Sequence, residues 1–142
     1  MIICFAFQAV VSSEKWWEHT TLYQIYPRSF QDSNDDGIGD LAGITARLDY
    51  LVDIGIETFL LSPIYASPMA DFGYDVSNYT DVDPIFGTLE DFEKMSEEAK
   101  KRNLKIVMDF IPNHSSNKHE WFLKSENREE PYTDYYIWRD RN

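Results

Sequence analysis

One cysteine, Cys4, is all that 142 residues provide, so no disulfide can close within the chain and no cysteine-based metal site can form. A metal here is expected on oxygen donors. Basic residues are also scarce: 13 Lys+Arg against 25 Asp+Glu leave a net charge of −12. A chain so acidic is repelled by phosphate backbones, which excludes nucleic acid and anionic membrane surfaces as partners. The apolar run IICFAFQAVV at Ile2 to Val11 falls short of the about 20 residues that a transmembrane helix needs. There is no internal repeat and no Gly-Ser or Pro-rich linker. Gly-x-Gly-x-x-Gly, the P-loop, Gly-x-Ser-x-Gly and His-Glu-x-x-His are all missing, which argues against dinucleotide, phosphate, serine-hydrolase and zincin chemistry.

What is present is core material for one domain, with 43% hydrophobic and 15% aromatic residues. The apolar start, followed by Ser12, Ser13, Glu14 and Lys15, reads as a secretory signal cleaved near Ser13, although it lacks a basic beginning. A first buried strand or an incorrectly placed start are the alternatives. On the signal reading the protein is secreted.

From Leu22 the chain alternates strand-like and helix-like segments. Leu22 to Phe30 reads as a strand running into a loop. Asp40 caps a helix whose Leu41, Ile44, Leu48 and Leu51 recur at helical spacing until Gly55 stops it. Thr58 to Leu61 is a short strand buried on both faces. Thr88 opens the next helix with a capping box to Asp91, placing Leu89, Phe92, Met95 and Ala99 on its inner side. Lys105 to Ile111 forms a third strand, ended by Pro112. The order β-α-β-α-β predicts an α/β fold with a parallel sheet, doubly wound or closed into a barrel. The tail from Asn117 to Asn142 is polar and aromatic without a clear period.

Three constellations carry chemistry. Asp32, Asn34, Asp36 and Asp40 alternate around Gly37, an oxygen set that a hard cation such as calcium favours, with the Ile38 carbonyl as a further ligand. Gly43 stands where a complete EF-hand would place its bidentate Glu, so the loop is of another kind; a metal-free Asx-rich turn is its plain alternative. Asp71-Phe72-Gly73-Tyr74-Asp75 follows the second strand, and Asp109-Phe110-Ile111-Pro112-Asn113-His114 closes the third, at the carboxyl ends where α/β folds collect functional groups. Carboxylates, a tyrosine and a histidine suit sugar recognition, acceptors for hydroxyls and a ring for the apolar face. Asn78-Tyr79-Thr80 and Asn113-His114-Ser115 match the N-glycosylation pattern, which matters only in a secreted chain.

Taken together, YQIYPRSFQDSNDDGIGDLAGI, DFGYDVSNY and DFIPNHSS resemble the amino-terminal part of glycoside hydrolase family 13, the alpha-amylase family, and within it the maltase-type alpha-glucosidases and oligo-1,6-glucosidases. The resemblance implies a (β/α)₈ TIM barrel with a small domain inserted after the third strand. Such a barrel takes about 250 residues, so an incomplete barrel is expected: the first three strands and two helices over residues 16–116, the start of the inserted domain B over 117–142, and the signal peptide over 1–13. By resemblance Asp32, Asn34, Asp36, Ile38 and Asp40 form a structural calcium loop, in which magnesium is also possible. Asp71 and Tyr74 grip the terminal glucose, His114 hydrogen-bonds the same sugar, and Asp109 supports the catalytic constellation.

The reaction implied is retaining hydrolysis of alpha-linked glucose from maltose, sucrose or oligosaccharides. The family carries its nucleophile and acid on the fourth and fifth barrel strands, so the 142-residue chain alone is expected to be inactive, and no catalytic residue is assigned in it. The expected partner is a small sugar, with a membrane reached only through an anchor beyond residue 142. The runner-up is a non-enzymatic heavy-chain subunit of an amino-acid transporter, a related group with a membrane-spanning segment before its barrel. A stand-alone sugar- or calcium-binding module is the third reading.

Overall fold

The computed structural model describes residues 15–139. The signal expected over 1–13, and Cys4 with it, lie outside the described residues. The elements run in chain order: β1 (Leu22–Ile25), α1 (Pro27–Phe30), α2 (Leu41–Ala46), α3 (Leu48–Asp53), β2 (Thr58–Leu61), β3 (Tyr65–Ala66), β4 (Asn78–Val82), α4 (Leu89–Lys101), β5 (Lys105–Met108) and α5 (Glu120–Glu126), after a 3₁₀ turn at Trp16–Glu18.

β1, β2 and β5 form one parallel sheet in that order, with Leu22 beside Thr58 and Thr58 beside Lys105. Helices lie between successive strands, as a parallel crossover requires. The order and direction match the first-to-third strand segment that the resemblance implies for a (β/α)₈ barrel. Ile25, Phe59 and Leu61 are buried against Leu41, Ile44, Leu48 and Leu51 from α2 and α3 and against Met95 and Ala99 from α4. The buried layer is apolar at helical spacing on the helices, and along β2 Thr58, Phe59 and Leu61 are buried while Leu60 is half-buried.

Several expected boundaries change. The strand from Leu22 stops at Ile25, because Pro27 opens a single helical turn with its fixed φ at the first helical position. The helix expected from Leu41 to Leu51 breaks at Arg47, whose N–H turns to the Ile44 carbonyl in an i−3 bond that tightens the chain and starts α3 afresh. The strand from Lys105 ends at Met108 rather than Ile111, since Asp109 to Asn113 leave the sheet to build the site. Beyond the three strands and two helices expected, β3 and β4 pair antiparallel as a separate two-stranded sheet, and α5 forms in the tail. Within α4 the capping box is present, Thr88 Oγ1 accepting from Asp91 N–H at 3.2 Å and Asp91 Oδ2 accepting from Thr88 N–H at 2.8 Å. Met95 and Ala99 are buried there, whereas Leu89, expected on the inner side, is 48% exposed. Among the described residues no helix is long and apolar enough to cross a membrane.

Candidate functional site

The sheet delivers its carboxyl ends to one side. Ser62 N–H donates to the Ile25 carbonyl at 3.0 Å, and Asp109 N–H to the Leu61 carbonyl at 3.1 Å. The segments leaving β2 and β5 therefore start side by side, where the loops of a barrel hold its functional groups.

The loop after β2 is built around a residue that the sequence reading left outside its site set. The Asp75 carboxylate accepts from Ser67 Oγ at 2.8 Å, Asp71 N–H at 2.9 Å and Ala70 N–H at 3.0 Å. Burial raises the Asp75 pKa, but these donors, led by the Asp71 N–H, outweigh it and hold the carboxyl below its usual range. Gly73 has φ +102, a conformation L side chains rarely adopt, and it passes close against Pro63, with an added Cβ only 3.3 Å from that carbonyl oxygen. That turn directs Tyr74 across to the neighbouring strand end, where its hydroxyl donates to Asp109 Oδ2 at 3.0 Å. Partial burial, and then the Asp109 carboxylate, push the Tyr74 phenol up.

The loop after β5 is fixed from behind. Tyr65 donates to the Asp109 carbonyl at 2.8 Å, and the Tyr79 hydroxyl stands 3.0 Å from the Ile111 carbonyl and 2.7 Å from that of His114. The His114 ring reaches the Tyr74 carbonyl through Nε2 at 3.0 Å, with Nδ1 at 3.1 Å from Asn113 Oδ1. Behind it, Tyr79 stacks on Trp121 of α5 at 6.2 Å and 25°.

Of the four residues read as sugar-contacting or supporting, Tyr74, Asp109 and His114 are thus joined in one hydrogen-bonded cluster. Asp71 is exposed, its carboxylate makes no hydrogen bond among the described residues, and its charge is felt at the Tyr74 phenol. The set offers an open carboxylate, a tethered ring and a second carboxylate at one mouth. A cavity of about 390 Å³ opens beside it, lined by Phe110, Asn113, His114, Trp121 and Tyr136 among others. His114 lines it while Asp71, Tyr74 and Asp109 do not, so the cluster stands at the edge of this cavity. Sequence reasoning missed Tyr65 and Tyr79: their hydroxyls act on distant carbonyls, one for Tyr65 and two for Tyr79, and no local spacing signals that.

The acidic loop between α1 and α2 folds as linked Asx turns. Asp32 Oδ2 accepts from Gly37 N–H at 2.7 Å and Oδ1 from Asn34 N–H at 2.9 Å, Asn34 Oδ1 from Asp36 N–H at 3.0 Å, and Asp36 Oδ1 from Ile38 N–H at 2.8 Å. Asp40 caps α2 through Gly43 N–H at 2.6 Å and ties back to Ser33 N–H at 3.0 Å. The N–H of Gly37, then that of Asn34, lowers the Asp32 pKa. Among the described residues no three His, Cys, Asp or Glu side chains are grouped to hold a metal. The five proposed donors include an amide and a main-chain carbonyl, and all are hard oxygens. Asp32 Oδ1 and Asp40 Oδ2 each hold two donors, but Asp32 Oδ2, Asn34 Oδ1, Asp36 Oδ1 and Asp40 Oδ1 hold one apiece and keep a second lone pair for a cation, so the turn and an ion are chemically compatible.

A parallel strand–helix unit with its polar cluster at the strand carboxyl ends is the arrangement of an α/β fold, and its sequence places it: residues 24–142 match the alpha-amylase catalytic domain, and the chain belongs to the alpha-amylase family. It is 64% identical over 125 residues to Maltase A2 of Drosophila melanogaster, covering 88% of this chain and 22% of that protein. It is 54% identical over 128 residues to a glucan 1,6-alpha-glucosidase of Streptococcus pneumoniae serotype 4, covering 89% and 24%. The crystal structure of an isomaltulose synthase from Klebsiella sp. LX3 superposes with a TM-score of 0.87 at 49% identity, covering 90% of this chain and 23% of that one. The chain therefore spans less than a quarter of the length of these relatives.

Proposed function

We propose that this chain forms the glucose-gripping wall of an alpha-glucosidase that releases terminal alpha-linked glucose from maltose, sucrose or oligosaccharides. The observation that carries the reading is the Tyr74 to Asp109 hydrogen bond of 3.0 Å, which fixes an aromatic ring and a carboxylate from adjacent strand ends in one place. A pyranose offers an apolar face to the ring and hydroxyls to carboxylates, and Asp71 is free to accept from them. The names of the relatives favour hydrolysis over the transporter-subunit reading.

Retaining hydrolysis needs a nucleophile and an acid about 5–5.5 Å apart, which the family resemblance assigns to later strands. The residues of this chain act by position: Asp71 and Asp109 orient hydroxyls, Tyr74 sets the plane of the ring, and His114 clamps the Tyr74 main chain. Calcium, with magnesium as the alternative, would be held by Asp32, Asn34, Asp36, the Ile38 carbonyl and Asp40. It would pin the turn between β1 and α2 and supply charge rather than a reaction step. The apolar run before residue 14 supports secretion, and the tail from residue 117 supports the start of an inserted domain.

The test is the hydrolysis of maltose by the protein that carries this chain. Asp71→Ala removes a charge-assisted hydrogen bond worth about 1.5–3 kcal/mol, a fall of roughly 10- to 100-fold in kcat/KM. An unchanged kcat/KM would remove Asp71 from the sugar site, and no glucose release by the parent would remove the function.

A further inference from the structure

The two N-glycosylation patterns are placed differently by the fold. Asn78 opens β4, whose register with β3 pairs it with Ala66. Alternation along the strand turns Tyr79 inward, onto the Ile111 and His114 carbonyls, and leaves Asn78 and Thr80 outward. Asn78 Oδ1 accepts from Thr80 Oγ1 at 2.8 Å and from Thr80 N–H at 3.0 Å. Both donors hold the oxygen edge of the amide against Thr80, which leaves the Nδ2 edge as its open one. Nδ2 itself donates to no described residue. An open hollow of about 690 Å³, walled by Asn78, Thr80, Lys118, Glu120, Lys124 and their neighbours, lies against it.

Asn113 is arranged otherwise. Its Oδ1 faces His114 Nδ1 at 3.1 Å, and the Ser115 hydroxyl turns away to the Ser116 carbonyl at 3.2 Å and to Tyr136. The hydroxyl of its own motif does not meet the Asn113 amide, and Asn113 lines the cavity beside Tyr74, Asp109 and His114, which a glycan there would fill.

We infer that Asn78 is a glycan acceptor and that Asn113 is not; the inference rests on the reading of the protein as secreted. In the transfer, Asn78 Nδ2 attacks the anomeric carbon of a lipid-diphosphate-linked oligosaccharide. The N–C bond forms, the carbon–oxygen bond to the diphosphate breaks with its electron pair leaving on the lipid diphosphate, and the amide proton passes to a base of the transferase. No oxidation occurs. The glycan then stands on the face of β4 opposite Tyr79, clear of Tyr74 and Asp109.

The test is cell-free translation of the complete chain behind a host secretory leader, with microsomal membranes present. Chains protected from added protease are scored for an endoglycosidase-sensitive mobility step. One step is expected in the parent and in Asn113→Gln, none in Asn78→Gln or Thr80→Ala, and its return in Thr80→Ser. Protected parent chains without the step, or a step that survives Asn78→Gln, would overturn the inference. A parallel translation with residues 1–13 as the only leader reads protease protection alone, so a failure of secretion is distinguished from a failure of Asn78.

Discussion

Replacing Asp75 by Ala should free the loop that carries Asp71 and Tyr74 without touching the barrel core. The carboxylate accepts two main-chain N–H groups and one hydroxyl at 2.8–3.0 Å. Hydrogen bonds to a charged group are worth about 1.5–3 kcal/mol each. Because Asp75 is only half-buried, water replaces part of each bond and screens the charge, so the three together are set at about 3 kcal/mol rather than their sum. At 1.4 kcal/mol per decade, local opening rises roughly 100-fold. Amide exchange of residues 67–75 at neutral pH reads this directly, with Ala70 and Asp71 accelerated most, and Asp75→Asn, which keeps one acceptor oxygen, about tenfold. The folded pKa of Asp75 lies below its ordinary 3.8. Its stabilisation is therefore complete above that value and lost as the pH falls through the lower folded one. The difference between parent and Asp75→Ala should shrink accordingly in acid. Exchange unaltered at Ala70 and Asp71, or a difference that persists at the lowest pH, would refute the assignment.

Gly39 and Gly37 separate two uses of glycine in the acidic loop. A Cβ on Gly39 would collide with the Pro27 carbonyl oxygen, while Gly37 has φ +86 and open space. Gly39→Ala should cost about 3 kcal/mol or prevent folding, against about 1–2 kcal/mol for Gly37→Ala, as measured by urea denaturation of the protein that carries the chain. If calcium occupies the loop, millimolar calcium should raise the thermal midpoint of that protein and a chelator should lower it, with Asp36→Ala insensitive to both; equal midpoints with calcium and chelator would contradict the metal reading.

The parallel sheet and its helices were readable because their signals are local and redundant. Thr88 with Asp91 states a helix start in four residues, and Leu41, Ile44, Leu48 and Leu51 state one buried face even though Arg47 divides the helix. The residues of β3 and β4 gave no such signal. Tyr65–Ala66 is too short for a period, and its pairing with β4 is irregular, so only tertiary contact defines it. α5 is capped by His119, whose ring accepts Trp121 N–H at 3.0 Å, a cap outside the Ser, Thr, Asp and Asn set by which starts are read.

The site divides in the same way. Asp71, Tyr74, Asp109 and His114 stand in two short motifs, and Tyr74, Asp109 and His114 share one hydrogen-bonded cluster. What no motif conveys is how they are held. Asp75 works through main-chain N–H groups, and Tyr65 and Tyr79 reach across 44 and 35 residues to carbonyls. Such bonds depend on the side of a strand from which a ring emerges, which follows from register rather than from spacing.

A crystal structure of the protein that carries this chain, with glucose bound, tests the central claim most directly. The expected result is a pyranose stacked on the Tyr74 ring, with its hydroxyls on the Asp71 and Asp109 carboxylates. Glucose bound elsewhere, with the Tyr74 to Asp109 pair untouched, would contradict it.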